Sequence, residues 1–206
     1  MTPYYEQDGI AIYHGDCLDV LRRMTVWSIL TDPPYGTGWV RGGGSVGEFN
    51  ASHQQPAWDV FSLEWLSVSR PAEWIAFAPN SRAVDMRKVA SSEVSWRKTN
   101  PRPNAPATEP IFLSPMRVPA GIEWVGYNGD TPHHPCEKPV DLMTWLLGFL
   151  RPDRPVVDPF MGSGSTLVAA KRAGRRAIGI EINERYCEIA TRRLAQGVLP
   201  LAEVAS

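Results

Sequence analysis

Val156-Val157-Asp158-Pro159-Phe160-Met161-Gly162-Ser163-Gly164-Ser165-Thr166 is the stretch that decides the fold. A short β-branched run ends at an aspartate, a glycine-rich turn follows, and a helix is predicted over Ser165 to Ala173, ended by Gly174. Ala177 to Ile182 then reads as a second strand and Glu184 to Gln196 as a second helix. Strand, tight turn, helix and strand in succession is the signature of an α/β layered domain built on a parallel sheet. The glycines allow positive φ and let the backbone approach a ligand closely. A dinucleotide loop would need Gly-x-Gly-x-x-Gly, and Leu167 stands where the third glycine would be, which weakens a nicotinamide reading. Glu181 closes the next strand, where an acidic residue meets ribose hydroxyls in doubly wound folds. The plainer alternative is a βαβ unit whose glycines only shape a turn.

Outward from that stretch the alternation continues. Ile10 to His14 alternates and stops at Gly15-Asp16, and Cys17 to Met24 carries Leu18, Leu21 and Arg22 at helical spacing. Trp27 to Thr31 is an apolar run that stops at Asp32. Ser62 to Ser69 reads as helix, Trp74 to Ala78 as strand, and Ser81 as the cap of a helix running to about Ala90. Val94 to Lys98 and Pro110 to Leu113 read as a strand pair. Pro139 to Leu150 is a helix with Leu142, Trp145, Leu146 and Phe149 on one side. The Gly-, Ser- and Gln-rich stretch from Thr37 to Pro56 is expected to be a mobile loop. Six prolines between Pro101 and Pro119 argue against a regular central strand there and for an extended surface segment.

The chain has 206 residues, enough for one domain with a full core, and 43% apolar residues exclude a disordered chain. No apolar run is long enough to span a bilayer, and the N-terminus lacks a basic stretch followed by an apolar one, so neither membrane insertion nor secretion is expected. Cys17, Cys136 and Cys187 are far apart and odd in number, so they read as reduced cytoplasmic thiols rather than metal ligands or disulfides. A net charge of −1 argues against nonspecific coating of nucleic acid but leaves room for a local basic groove, and basic residues do cluster between Arg82 and Arg117.

Asp32-Pro33-Pro34-Tyr35 carries the chemistry. An exocyclic amino nitrogen is a poor nucleophile because its lone pair is delocalised into the ring. Acceptors around the NH2 group localise that lone pair. Asp32 offers a carboxylate and Pro33 a rigidly held carbonyl, and Pro34 cannot donate from its nitrogen, so only acceptors face the amino group. Tyr35 offers a face on which a flipped base can stack. Taken alone, the string is also compatible with a β-turn and a buried tyrosine.

These two motifs, with the catalytic string first and the cofactor loop last, resemble the beta-class DNA amino-methyltransferases, a permuted branch of the adenine-N6 and cytosine-N4 enzymes. The resemblance spans roughly residues 8 to 195. Ser95-Trp96-Arg97-Lys98-Thr99-Asn100-Pro101-Arg102-Pro103-Asn104 is similar to the segment beside the target base in that family, and His134-Pro135-Cys136-Glu137-Lys138-Pro139 to its His-Pro-x-x-Lys-Pro element. Trp58-Asp59 and Glu64-Trp65 also stand where that family often has them. The resemblance implies a doubly wound, mostly parallel, Rossmann-like sheet with circularly permuted motifs. It implies S-adenosylmethionine as cofactor, without a metal, held by Asp16, Cys17, Lys138, Asp158, Phe160, Gly162, Ser163, Gly164, Ser165, Glu181 and Ile182. It places Asp32, Pro33, Pro34 and Tyr35 in catalysis and Trp96, Lys98, Asn100, Arg102 and Arg117 against DNA.

The expected activity is site-specific methylation of adenine N6 in double-stranded DNA. Open alternatives are cytosine N4, an RNA base or protein amide, and a non-catalytic cofactor-binding subunit. The family usually carries a larger recognition region than the 105 to 133 segment available here, so sequence readout is expected from that short segment, the 37 to 56 loop or a second subunit, and a compact enzyme with a short recognition site or low specificity would fit. Relatives in the resembling family are often dimeric, so a homodimer is expected, with a separate specificity or restriction partner left open. The setting implied is the cytoplasm of a bacterium, or a phage-encoded enzyme.

Overall fold

The computed structural model describes residues 1–34, 62–101, 106–126 and 137–196. In chain order its strands are β1 (Tyr5–Gln7), β2 (Ile10–His14), β3 (Ser28–Thr31), β4 (Glu73–Phe77), β5 (Ser92–Lys98), β6 (Thr108–Ser114), β7 (Glu123–Gly126), β8 (Val156–Asp158) and β9 (Ala177–Glu181). Its helices are α1 (Cys17–Leu21), α2 (Glu64–Ser69), α3 (Ala83–Arg87), α4 (Val140–Leu147), α5 (Ser165–Arg172) and α6 (Glu184–Ala195). The strands form one sheet in the order β1-β2-β9-β8-β3-β4-β6-β5-β7. Five neighbours, β2, β9, β8, β3 and β4, run parallel. β6 runs against β4 and β5, and β7 runs with β5. β1 joins β2 through Asp8 and Gly9, both at positive φ, which is the turn geometry that a two-residue hairpin needs.

Alternate residues of each central strand feed opposite faces, as the pleat requires. Leu30, Ile75 and Phe77 join one core with Leu142 and Leu146 of α4, Leu167 and Ala170 of α5, and Cys187 and Leu194 of α6. Ile29, Trp74 and Ala76 join the other with Val20 and Leu21 of α1, Trp65 of α2, and Ala83 and Met86 of α3. Helices therefore cover both faces, and the expected doubly wound, mostly parallel architecture is what the chain adopts. Among the described residues no helix is long and apolar enough to cross a membrane.

Two local expectations are corrected. Ser81 does not cap a long helix: it sits in a single 3-10 turn, Asn80–Arg82, and α3 begins after it without a side-chain cap. The proline-rich stretch does contain a central strand. β6 includes Pro110 and lies between β4 and β5, with Ile111, Phe112 and Leu113 fully buried. The strand tolerates Pro110 because of where its nitrogen points. Lys98 N donates to Ala107 O, and alternation along the antiparallel ladder turns the Pro110 nitrogen away from β5. It faces Ala78, just beyond the end of β4, so the absent donor removes no bond from the interior of the ladder. Much of the described part of the 105 to 133 segment is thus β6 and β7, which complete the sheet.

Candidate active site at the carboxyl edge of the sheet

β8 and β3 are neighbours whose chains part in opposite directions, β8 through α5 to β9 and β3 to α2 and β4. Such a switch point opens a crevice at the carboxyl ends of the strands, where open α/β sheets bind ligands. Asp158 closes β8 and Asp32 follows β3, so both acids stand at this point. Thr31 Oγ1 donates to Asp158 Oδ1 at 2.7 Å, Phe160 N donates to the same oxygen at 3.1 Å, and Thr166 Oγ1 donates to Oδ2. Asp158 is 3% exposed, and burial pushes its carboxyl up from 3.8 to about 6. The three hydrogen bonds pull the other way, and the charge of Asp32 adds to the rise. Its oxygens hold the two strand ends and the helix start together.

The glycine turn is built from the side of α6. Gly162 and Gly164 have φ of 51° and 84°. A Cβ on Gly164 would lie 2.9 Å from Ala190 Cβ. The close approach that a third loop glycine would give is supplied from β9 instead, where a Cβ on Gly179 would lie 2.4 Å from Met161 Sδ and 2.8 Å from Leu167 Cδ2. Ser163 and Ser165 are buried, so their side chains are turned into the protein. Ser163 Oγ donates to Glu137 Oε2 at 3.1 Å, and Arg193 Nη1 donates to Ser163 O at 2.7 Å. Arg193 Nη2 pairs with Glu137 Oε1 at 2.8 Å, with the Glu137 side chain only 4% exposed. Burial lowers the Arg193 pKa, while Glu137 opposes that shift.

The mouth of the turn is lined by Glu181 and its neighbours. Glu181 Oε2 accepts from Gly162 N at 3.0 Å and Oε1 from Asn183 N at 2.8 Å. Burial raises its pKa, and these two backbone donors oppose the rise. Ile182 is 46% exposed, a large apolar side chain open beside a half-buried carboxylate. Gly15 N donates to Glu181 O at 2.9 Å, which brings the β2 end alongside. Asp16 turns its carboxylate onto its own helix, accepting from Leu18 N at 2.7 Å. Burial, then Asp16, pushes the Cys17 thiol up to about 12, which keeps it a neutral contact rather than a nucleophile.

Across the switch point, Pro33 is buried and Asp32 is 23% exposed at its side chain. Lys138 Nζ donates to Asp32 Oδ2 at 2.6 Å, pairs with Glu109 Oε1 at 3.1 Å and sits over the Phe77 ring at 4.9 Å. Glu109 Oε2 in turn holds Lys98 Nζ at 3.0 Å, over the Trp96 ring at 4.8 Å. Lys138 therefore reaches Asp32, and its neighbour Glu137 is the residue of that element that touches the glycine turn.

Of the residues expected against DNA, Trp96 is 1% exposed and packs edge-on to Trp124, so its ring is core and not a surface contact. Lys98, with an 11% exposed side chain, directs its charge inward. Asn100 follows β5 on the same edge of the sheet as Asp32. Arg117 is exposed beyond the end of β6, whose Ser114 lies beside Trp74 at the start of β4. It is therefore at the opposite edge of the sheet from Asp32. Tyr35, the 37 to 56 loop, Trp58, Asp59, Arg102, Asn104 and His134 to Cys136 lie outside the described residues. Glu109, Glu137, Arg193, Thr31 and Thr166 were missed in the sequence reading. For Thr166 a signal existed in the hydroxyl closing Gly-Ser-Gly-Ser-Thr.

Comparison with known proteins bears on this arrangement. Residues 80–192 match the family model for N6/N4 DNA methylases, described as DNA methylase. The Escherichia coli (strain K12) protein named methylase YubD is 34% identical, with 88% of each chain covered. The Streptococcus pneumoniae Type II methyltransferase M2.DpnII is 27% identical, covering 93% of this chain and 92% of that one. Among solved structures, the M1.HpyAVI complex with SAM superposes with a TM-score of 0.66 at 24% identity, over 89% of this chain and 99% of that chain. The cytosine-N4-specific PvuII DNA methyltransferase gives 0.65 at 15% identity, over 99% and 90%. Both likenesses are of fold.

Proposed function

From the premise that the chain belongs to the N6/N4 DNA methylase family, we propose that it moves the methyl group of S-adenosylmethionine to the N6 amino group of an adenine turned out of duplex DNA. One observation carries the reading: the acceptor-rich Asp32 and Pro33 and the glycine turn of 158–164 meet at one switch point, joined by the hydrogen bond from Thr31 to Asp158. S-adenosylmethionine supplies, when bound, an electrophilic methyl on a sulfonium sulfur. The residues present fit its adenosine half. Glu181 is a carboxylate for hydroxyl groups, Ile182 an open apolar face for a flat ring, and the turn of Gly162 and Gly164 brings backbone close without side chains.

The chain's own groups do the rest. Asp32 and the Pro33 carbonyl accept from the amino hydrogens and localise the nitrogen lone pair. The diproline fixes both acceptors before the base arrives, so little ordering is left to the reacting complex. Lys138 holds the Asp32 carboxylate by Oδ2. A carboxylate has lone pairs on both oxygens, so this ion pair does not by itself exhaust its acceptor capacity. Asp, rather than an uncharged residue, at the first motif position leans the reading toward adenine.

The test is methyl transfer to unmethylated duplex DNA followed by nucleoside mass analysis. N6-methyladenine is expected. N4-methylcytosine would move the activity to the cytosine branch of the family, and no transfer with cofactor bound would overturn the reading.

A further inference from the structure

Four charged side chains alternate in sign along the inside of the catalytic edge, and two of them have no role in the account above. Asp32 follows β3, Lys138 precedes α4, Glu109 lies on β6 and Lys98 ends β5. The contacts are 2.6, 3.1 and 3.0 Å in that order. Lys138, Glu109 and Lys98 have side chains only 9%, 9% and 11% exposed. Each ammonium is also seated over an aromatic ring, Phe77 or Trp96.

We propose that Glu109 is a positioning residue for methyl transfer, fixing Lys138 so that its ammonium holds Asp32 in the orientation the reaction needs. The proposal rests on the reading of Asp32 as the acceptor for the substrate amino group. With Glu109 in place, Lys138 is held by carboxylates on both sides, Asp32 and Glu109. Without the Glu109 charge, Lys138 loses one of these two contacts and shifts within its poorly hydrated site. The Asp32 carboxylate, bound to it through Oδ2, turns with it. The base still binds and the cofactor still binds, but the nitrogen is no longer held with its lone pair aimed at the methyl group. A displacement of this kind costs about a hundredfold in turnover.

Glu109→Gln keeps the shape of the side chain and removes the charge. Its kcat on duplex DNA, read per folded molecule, should fall about a hundredfold, with the KM for S-adenosylmethionine close to that of the unmodified chain, while the melting temperature also falls because two buried ammonium groups lose a counter-charge. Glu109→Asp should recover part of the loss. A purely structural role would leave turnover per folded molecule unchanged, and that result would overturn the proposal. A second measurement needs no turnover: acetylation of Lys138 by acetic anhydride, followed by peptide mass analysis. In the Gln variant the amine loses a counter-ion beside a second ammonium, which favours its neutral, reactive form. Acetylation at Lys138 should quicken about tenfold, and an unchanged rate would refute the link between Glu109 and Lys138. If the unmodified chain methylates no DNA, the functional reading fails separately, and the acetylation rate still decides whether Glu109 governs Lys138.

Discussion

Asp158 makes stability depend on pH in a direction opposite to that of an ordinary paired carboxylate. Burial pushes its carboxyl up from 3.8 to about 6 in the folded chain. In the unfolded chain it titrates at its ordinary value, so the folded state binds the proton more tightly. Above pH 6 the charged form costs the folded state about 3 kcal/mol, and the cost is relieved as pH falls through 6. Integrating the linkage relation, about 1.4 kcal/mol is regained by pH 5 relative to pH 8.

Asp158→Asn removes this titration while keeping the side chain's size. The amide oxygen can accept from Thr31 and Phe160, and the Thr166 hydroxyl can turn to accept from the amide. Urea unfolding of both chains, followed by far-ultraviolet circular dichroism from pH 5 to pH 8, gives the difference in stability at each pH. Titrations shared by the two chains cancel in that difference. The stability of the unmodified chain minus that of the variant should rise by about 1.4 kcal/mol from pH 8 to pH 5. A flat difference would show that burial does not perturb Asp158. A difference that falls toward low pH would show that the three donors outweigh desolvation.

Three further outcomes follow from the loop and its support. Arg193→Met leaves the Glu137 carboxylate buried without its guanidinium partner and should cost about 3–5 kcal/mol. Adding Glu137→Gln should recover more than half of that loss in thermal unfolding, whereas an equal loss in the double variant would sink the ion-pair account. Gly164→Ala should lower stability by at least about 1 kcal/mol because of its positive φ, and should weaken cofactor binding measured by calorimetry. An unchanged unfolding midpoint would contradict the tight packing against Ala190. Cys17 and Cys187, both pushed up to about 12 by burial, should resist iodoacetamide at pH 8 in the folded chain, and rapid alkylation of either would refute that placement.

The strand-ending acids were legible in the sequence because a local pattern announces them. Asp32, Asp158 and Glu181 each close a short apolar run, and strand ends on one edge are what a parallel sheet brings together. The partners of Lys138 carried no such signal. Asp32 and Glu109 are remote from it in the chain, and only the sheet order makes them neighbours. Arg193 was hidden for the same reason, as one basic residue among several on an exposed-looking helix. The inward turn of Lys98 was readable and was overlooked: Val94, Trp96 and Lys98 share one face of β5, so the parity that puts Val94 and Trp96 in the core also turns Lys98 inward. Pro110 misled because its effect on a strand depends on where its nitrogen points, which the count of prolines does not contain.

The central claim is that Asp32 accepts from the amino group that becomes methylated. It is tested most directly by single-turnover transfer of labelled methyl from S-adenosylmethionine to duplex DNA, with the unmodified chain and Asp32→Ala run side by side at saturating cofactor. The account predicts label in adenine for the unmodified chain and a rate at least about a hundredfold lower for the variant, with cofactor affinity retained. Equal rates for the two chains would contradict it.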